Sequence, residues 1–212
     1  MILNINGYYV DVLEKTTDIS GLLFEPQMTN YNNDEDWSIF TKPRQVEVTT
    51  NNYNLVKETS KNYMTHGIIE IGVFNNGSGS FTEAMFSNKP DNIPYLGIDI
   101  KDKTFLNNKE KQIYTIQSDS FDQERIRDYM KEIGMDKISI LFIDAWHSVN
   151  AVINDWRYSD LLAENGIVYF HDTNGHPGPT VFLNAIDPKQ YKVTKYFEDE
   201  PLDFGIATAI RL

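Results

Sequence analysis

The chain has 212 residues, 41% hydrophobic and 13% aromatic, enough for one domain with a real core and unlike a disordered chain. Its formal net charge of −12, with 19 Lys and Arg in no dense cluster, argues against a polyanionic partner such as DNA or RNA. Cysteine is absent, which excludes disulfides, thiolate metal sites and cysteine nucleophiles, and no apolar run is long enough to span a bilayer. The expectation is a cytoplasmic protein whose partner is a small molecule, with no nucleic acid and no membrane partner.

Residues 1–60 read irregularly, with an early hairpin through Tyr8–Leu13 and a polar stretch, Thr29–Trp37, that reads as a solvated loop. They are expected to form a cap or lid on a main domain over 61–212. From Gly67 onward the pattern becomes regular. Ile68–Ile71 is a short apolar strand that runs into a turn rich in Gly and Asn. Phe81, Ala84 and Met85 then share one helical face. Tyr95–Ile100 and Gln112–Gln117 are the next strands. Ile126, Tyr129, Met130 and Ile133 keep helical spacing, and Gly134 stands where that helix would stop.

Ile138–Ile143 is apolar throughout, as a central parallel strand covered on both faces should be. Val149, Val152, Ile153 and Trp156 mark another helix, Gly166–Phe170 a strand, and Thr180–Ile186 a short helix. Tyr191–Phe197 and Phe204–Ile210 close the pattern as two strands with no helix between them, so they should pair antiparallel. Strand and helix alternation predicts an α/β, doubly wound, Rossmann-like sheet of seven strands, mostly parallel with one antiparallel strand near the C-terminus.

Ligands of such sheets bind beyond the carboxyl ends of the strands. There the sequence places Glu70, Asp99, Asp119, Asp144 and the pair His171–Asp172, one group per successive strand. The turn Gly72–Ser80 brings backbone close to a ligand and ends on a serine at the helix-capping position. Asp99 follows the glycines at the distance where a carboxylate can accept from ribose hydroxyls. A nicotinamide fingerprint needs G-x-G-x-x-G, and the frame starting at Gly77 fails at Thr82. Glu70 beside the turn suits a cofactor carrying a positive amino group better than a pyrophosphate.

The run EIGVFNNGS, followed by YLGIDI, SDSFD, FIDAWHS and GIVYFHDT, resembles the class I S-adenosylmethionine-dependent methyltransferases. Within them it is closest to the small-molecule group known as methyltransferase domain 24, near the macrocin and catechol O-methyltransferase types. The resemblance covers about Gly67 to Leu212. It implies S-adenosyl-L-methionine as cofactor, with Glu70 and Gly72 facing its methionine part and Asn76, Gly77 and Ser78 in the turn around it. Asp99 would hold the ribose and Ile100 the adenine ring. Ser118 and Asp119 would lie near the adenine amino group, and Asp144 beside the sulfonium. Asn76 stands where many relatives have glycine, a substitution that a left-handed backbone tolerates.

Metal-dependent relatives carry an aspartate after the fourth strand and a lysine base three residues later, positions held here by Asp144 and His147. Their remaining ligands fall where this chain has His171 and Asp172. The resemblance therefore implies catalytic roles for His147 and Asp144, and a divalent metal (Mg, Mn or Fe) on Asp144, His171 and Asp172. A histidine in that set favours Mn or Fe over Mg. Two readings stay open at each place: His147 as base or as a cap on the helix after it, and the Asp/His set as metal ligands or as hydrogen-bonding groups. The expected reaction is methyl transfer to a hydroxyl of a sugar or phenolic acceptor. A metal-independent N- or O-methyltransferase and a non-catalytic cofactor-binding protein are the alternatives. A homo-oligomer is equally open.

Overall fold

The computed structural model describes residues 2–5, 8–13, 19–27, 49–73, 79–174, 176–198, 200 and 203–212. Two sheets are present. The smaller is antiparallel, in the order β1-β2-β3, and consists of β1 (Ile2–Ile5), β2 (Tyr8–Leu13) and β3 (Glu25–Gln27). β1 and β2 form the expected hairpin, pairing Ile2 with Asp11 and Ile5 with Tyr8.

The larger sheet has seven strands: β4 (Gly67–Ile71), β5 (Tyr95–Asp99), β6 (Ile113–Gln117), β7 (Ile138–Ile143), β8 (Leu162–His171), β9 (Tyr191–Tyr196) and β10 (Ile206–Arg211). Their order is β6-β5-β4-β7-β8-β10-β9. Every pairing is parallel except those of β10, which runs antiparallel to both β8 and β9. The predicted doubly wound sheet with one reversed strand is thus the observed one.

Helices cover both faces because the strands alternate two sets of apolar side chains. Ile69, Ile71, Leu96, Ile98, Leu141 and Val168 face α3 (Gln123–Glu132), α4 (Val149–Trp156) and α5 (Pro177–Phe182). Ile68, Tyr95, Phe142 and Tyr169 face α1 (Thr50–Ser60) and α2 (Phe81–Phe86). Trp156, expected in the core, is fully buried, and its indole N–H donates to Ser20 O at 3.0 Å. No helix of the described residues is long and apolar enough to cross a membrane.

The segment before residue 61, read as an extension, contributes to this core. Thr59 and Tyr169 share a hydrogen bond of 2.7 Å between hydroxyls, and Asn52 donates to Asp203 at 2.8 Å, tying α1 to β8 and to the loop before β10. Ile19 and Leu22 join the cluster under α4 and α5, and Leu23 N donates to Ala185 O at 2.7 Å. The helix expected over Thr180–Ile186 is displaced toward the N-terminus. It starts at Pro177, whose fixed φ and missing N–H suit the first helical position, and it ends at Phe182.

The sheet is pinned at its switch point, where the chain turns outward to β5 and β6 and then returns to β7. Gly72 N donates to Ile98 O at 2.9 Å, and Asp144 N donates to Ile71 O at 2.9 Å. Gly72 has φ 84°, and a Cβ added there would lie 2.1 Å from Asp144 O. Only glycine lets the two strand ends meet.

Gly72→Ala should therefore cost about 3 kcal/mol or more, from overpacking against backbone plus left-handed strain. For a domain of this size that lowers the thermal midpoint by roughly 6–12 °C. Gly134→Ala is the control: φ is 72°, but the added Cβ would meet nothing within 4 Å. It should cost only about 1–2 kcal/mol, and equal losses in the two variants would show that the contact at Gly72 is not decisive.

Candidate active site

A cleft of about 640 Å³ opens at the carboxyl ends of β4, β5 and β7. Gly72, Asp99, Ile100, Ser118, Asp119 and Asp144 all border it, so six of the sequence-derived cofactor positions come together. Asn76, Gly77 and Ser78 lie outside the described residues. Lys101, Lys103, Ser120, Phe121 and Trp146 complete much of the wall. Ile100, Phe121 and Trp146 are exposed, and together they give the mouth an apolar lining beside fixed carboxylates.

Asp99 is held rigidly at the end of β5. Its Oδ2 accepts from Val73 N at 3.0 Å and its Oδ1 from Lys101 N at 2.7 Å, with Lys103 Nζ 3.6 Å away. Each carboxylate oxygen can accept a further hydrogen bond from a ligand. Asp119 Oδ1 accepts from Phe121 N at 3.0 Å, and Ser118 N donates to Asp99 O at 2.9 Å, fixing the next stretch of wall against β5.

Glu70 does not border the cleft. Its side chain points from β4 toward α2, where Thr82 Oγ1 donates to it at 2.8 Å and the Tyr95 hydroxyl also donates. Burial pushes its pKa up to about 8, the two hydroxyls offsetting only part of that and Asp144 and Asp99 adding to it. The group expected as a counter-charge is thus a neutral carboxyl at pH 7 that ties β4, α2 and β5 together.

Behind Asp144 lies a buried cluster of imidazoles and carboxylates. His171 Nδ1 is 3.0 Å from Asp144 Oδ1 and 3.4 Å from Asp172 Oδ1. His147 Nε2 is 2.6 Å from Asp172 Oδ2. Asp172 takes φ 61°, a left-handed conformation that aspartate tolerates, and so turns its carboxylate between both rings. The helix after His147 is capped by Ser148, whose side chain accepts from Ala151 N at 3.1 Å. His147 is not the cap.

Charge in this cluster follows from its neighbours. Burial works against a charge on His171, but Asp172 and Asp144 outweigh it and hold its pKa well above the ordinary range. His147 is raised for the same reason, with burial opposing and Asp172 prevailing. Burial also opposes ionisation of Asp172, yet the two histidines keep it ionised far below the usual carboxylate range. Asp144 moves the other way, its pKa raised by burial against the pull of His171.

Two triads have ligand atoms within 4.8 Å of one another: Asp144, His171 and Asp172, and His147, Asp172 and His176. The first carries two carboxylates, enough to neutralise a divalent ion, and it touches the cleft through Asp144. The second has a single carboxylate. The first donor set could hold one divalent cation once His171 had given up its proton, and its imidazole would suit a borderline ion better than Mg²⁺.

His176, in the turn 174–179 that the sequence marks as a loop, takes part in the cluster as well. It is buried at the start of α5, its ring stacks on His147 with centroids 4.1 Å apart, and its N–H donates to Asp172 O at 3.1 Å. Gly178 brings α5 against the same strand end: its N–H donates to His147 O at 2.8 Å, and a Cβ there would lie 2.3 Å from that oxygen. The only hint of this in the sequence is the pair of prolines flanking Gly178.

No family model and no curated protein matches the chain, whereas solved structures do. The MycE methyltransferase of the mycinamycin biosynthetic pathway, solved with Mg, SAH and mycinamycin VI, is 16% identical with a TM-score of 0.53, over 74% of this chain and 48% of that one. This chain thus spans about half the length of MycE. An O-methyltransferase from Bacillus cereus solved with SAH is 12% identical with a TM-score of 0.55, over 81% of this chain and 84% of that one. A methyltransferase from Geobacter sulfurreducens is 14% identical with a TM-score of 0.53, over 78% and 80%. At such identities the likeness is one of fold. The chain has the seven-stranded fold of class I S-adenosylmethionine-dependent methyltransferases.

The buried Glu70 has a consequence for stability. Its pKa is 4.5 in the absence of structure and about 8 when folded, so across that window the unfolded chain has released a proton that the folded one keeps. Stability contributed at this position must fall as pH rises from 4.5 toward 8. Glu70→Gln keeps the shape and hydrogen-bonding capacity without the ionisation. Its denaturation midpoint should gain on that of the wild type over this window, and parallel pH curves for the two proteins would refute a neutral Glu70.

Proposed function

We propose, from the premise that the chain has a class I methyltransferase fold, that it transfers a methyl group from S-adenosyl-L-methionine to a hydroxyl of a small-molecule acceptor. The observation that carries this reading is the position of Asp144, which borders the cleft and is also part of the buried His/Asp cluster. On this reading a cofactor in the cleft would lie against the acid–base cluster.

Asp99, with both oxygens already oriented by backbone N–H groups, would accept from the ribose hydroxyls. Ile100 and Phe121 would flank the adenine ring, and Ser118 and Asp119 would face its polar edge. The missing side chain at Gly72 leaves room for the methionine part beside Asp144. The bound cofactor supplies an electrophilic methyl group on a sulfonium. What remains for the protein is alignment of the acceptor oxygen and removal of its proton.

His147 is the base in this reading. Its Nε2 faces Asp172, which orients the ring and, by favouring its charged form, confines the base role to pH above the raised pKa of His147, where Nδ1 would take the acceptor's proton. His176, stacked on the ring, and Gly178, bonded to the His147 carbonyl, fix its plane. Asp144, His171 and Asp172 would hold a divalent cation, which would polarise the acceptor oxygen. A metal-independent variant has its own support, because His171 Nδ1 already hydrogen-bonds Asp144 and pairs with Asp172 at 3.4 Å.

Calorimetry with S-adenosylhomocysteine tests the cofactor. Binding is expected, Asp99→Ala should weaken it about tenfold, and selective binding of NAD instead would overturn the reading. For the metal, Mn²⁺ should bind more tightly than Mg²⁺, and Asp172→Asn should weaken Mn²⁺ binding; full methyl transfer in a strong chelator would establish the metal-independent variant. With an acceptor found by metabolite screening, His147→Ala should lose about 100-fold or more in turnover while its affinity for S-adenosylhomocysteine stays nearly unchanged. Full turnover in that variant would remove His147 from the chemistry.

A further inference from the structure

Beneath the cleft wall lies a polar cluster for which the proposed reaction has no use. Asp155 of α4 is fully buried, and its Oδ2 has no hydrogen-bond partner among the described residues. Asn154 Nδ2 donates to Asp155 Oδ1 at 3.2 Å and reaches Ser120 Oγ at 3.4 Å. Tyr158, buried just after α4, donates its hydroxyl proton to Ser120 O at 3.0 Å. Gln123 of α3 closes the cluster by donating to Asn154 O at 2.9 Å and to Asn154 Oδ1 at 3.1 Å.

Two of these bonds, from Asn154 and Tyr158, end on Ser120 in the segment between β6 and α3, whose residues Ser118, Asp119, Ser120 and Phe121 line the cleft. Burial raises the Asp155 carboxyl to about 7, with the Ser120 hydroxyl and Asn154 pulling it down and Asp119 pushing it up. A carboxyl in that place is costly, and an apolar side chain of similar volume would pack more cheaply. What the carboxyl supplies in return is a directional hold on the Asn154 amide, which in turn reaches Ser120 Oγ.

We propose that Asp155 is a positioning residue for the cofactor: it fixes the Asn154 side chain, which with Tyr158 holds Ser120, and through Ser120 the wall against which the adenosine lies. The proposal rests on the cofactor reading above. It makes the back of α4, on the far side of the wall from the ligand, part of what sets cofactor affinity. The front end of α4 follows directly on His147 and Ser148, so one helix would serve both the adenosine wall and the proposed base.

The test compares thermal stability with affinity for S-adenosylhomocysteine in three variants. Asp155→Leu should fold with an unchanged or higher midpoint yet bind S-adenosylhomocysteine about tenfold more weakly. Asp155→Asn, whose side-chain oxygen can still accept from Asn154, should retain affinity near that of the wild type. Tyr158→Phe removes a single hydroxyl away from the cleft and should weaken binding several-fold, which keeps the idea testable if Asp155→Leu does not fold. Wild-type affinity in a folded Asp155→Leu, or in Tyr158→Phe where the leucine variant does not fold, would overturn the positioning role. Affinity and stability lost in proportion across the variants would also overturn it, leaving a purely structural cluster. Failure of the wild-type protein itself to bind S-adenosylhomocysteine would sink the cofactor reading and this inference with it.

Discussion

The structure depends on one close approach, that of Gly72 to the backbone of Asp144. β4 lies at the switch point of the sheet, and its end is hydrogen-bonded to β5 on one side and β7 on the other. Because no side chain intervenes, the carboxyl ends of β4, β5 and β7 converge closely enough for Asp99 and Asp144 to border a single cleft. A larger residue at 72 would part the strands and separate the proposed adenosine site from the proposed reaction centre.

Around that junction, carboxyl groups of one chemical type are set to different states by their partners. Glu70 is surrounded by hydroxyls and stays neutral near pH 7, whereas Asp172 lies between two imidazoles and stays ionised. Both are deeply buried, so burial alone does not distinguish them. Neighbouring charge does. The protein thus keeps a neutral structural tie and a charged dyad within one core.

Much of this was legible in the sequence, and the parts that were not share a physical cause. The strands and α3 and α4 follow from apolar periodicity, which is local, and the strand-end groups follow from knowing where such strands stop. The outward course of Glu70 was not legible, because its polarity suggested a ligand while its partners, Thr82 and Tyr95, come from two other elements. His176 was missed for a similar reason: its stacking on His147 arises only when α5 folds back across the end of β7. The contribution of residues before 61 to the core was hard to read because the buried face of α1 mixes Val56 with the polar Asn52 and Ser60, and two of its ties, Asn52 to Asp203 and Thr59 to Tyr169, are polar.

The reversed strand β10 bears on how the chain reaches this state. It lies between β8 and β9, although β9 is synthesised first, and β9 has no other neighbour in the sheet. Until residues 206–211 emerge, β8 has an open hydrogen-bonding edge, and His171 lacks Ile206, the residue that pairs with it. A nascent chain halted before that point would carry an unpaired, strongly apolar strand of the kind that recruits other chains. Interposing β10 therefore delays completion of the imidazole–carboxylate cluster until residues 206–211 have been made, and the half-made sheet is the stage at which a chaperone would matter most.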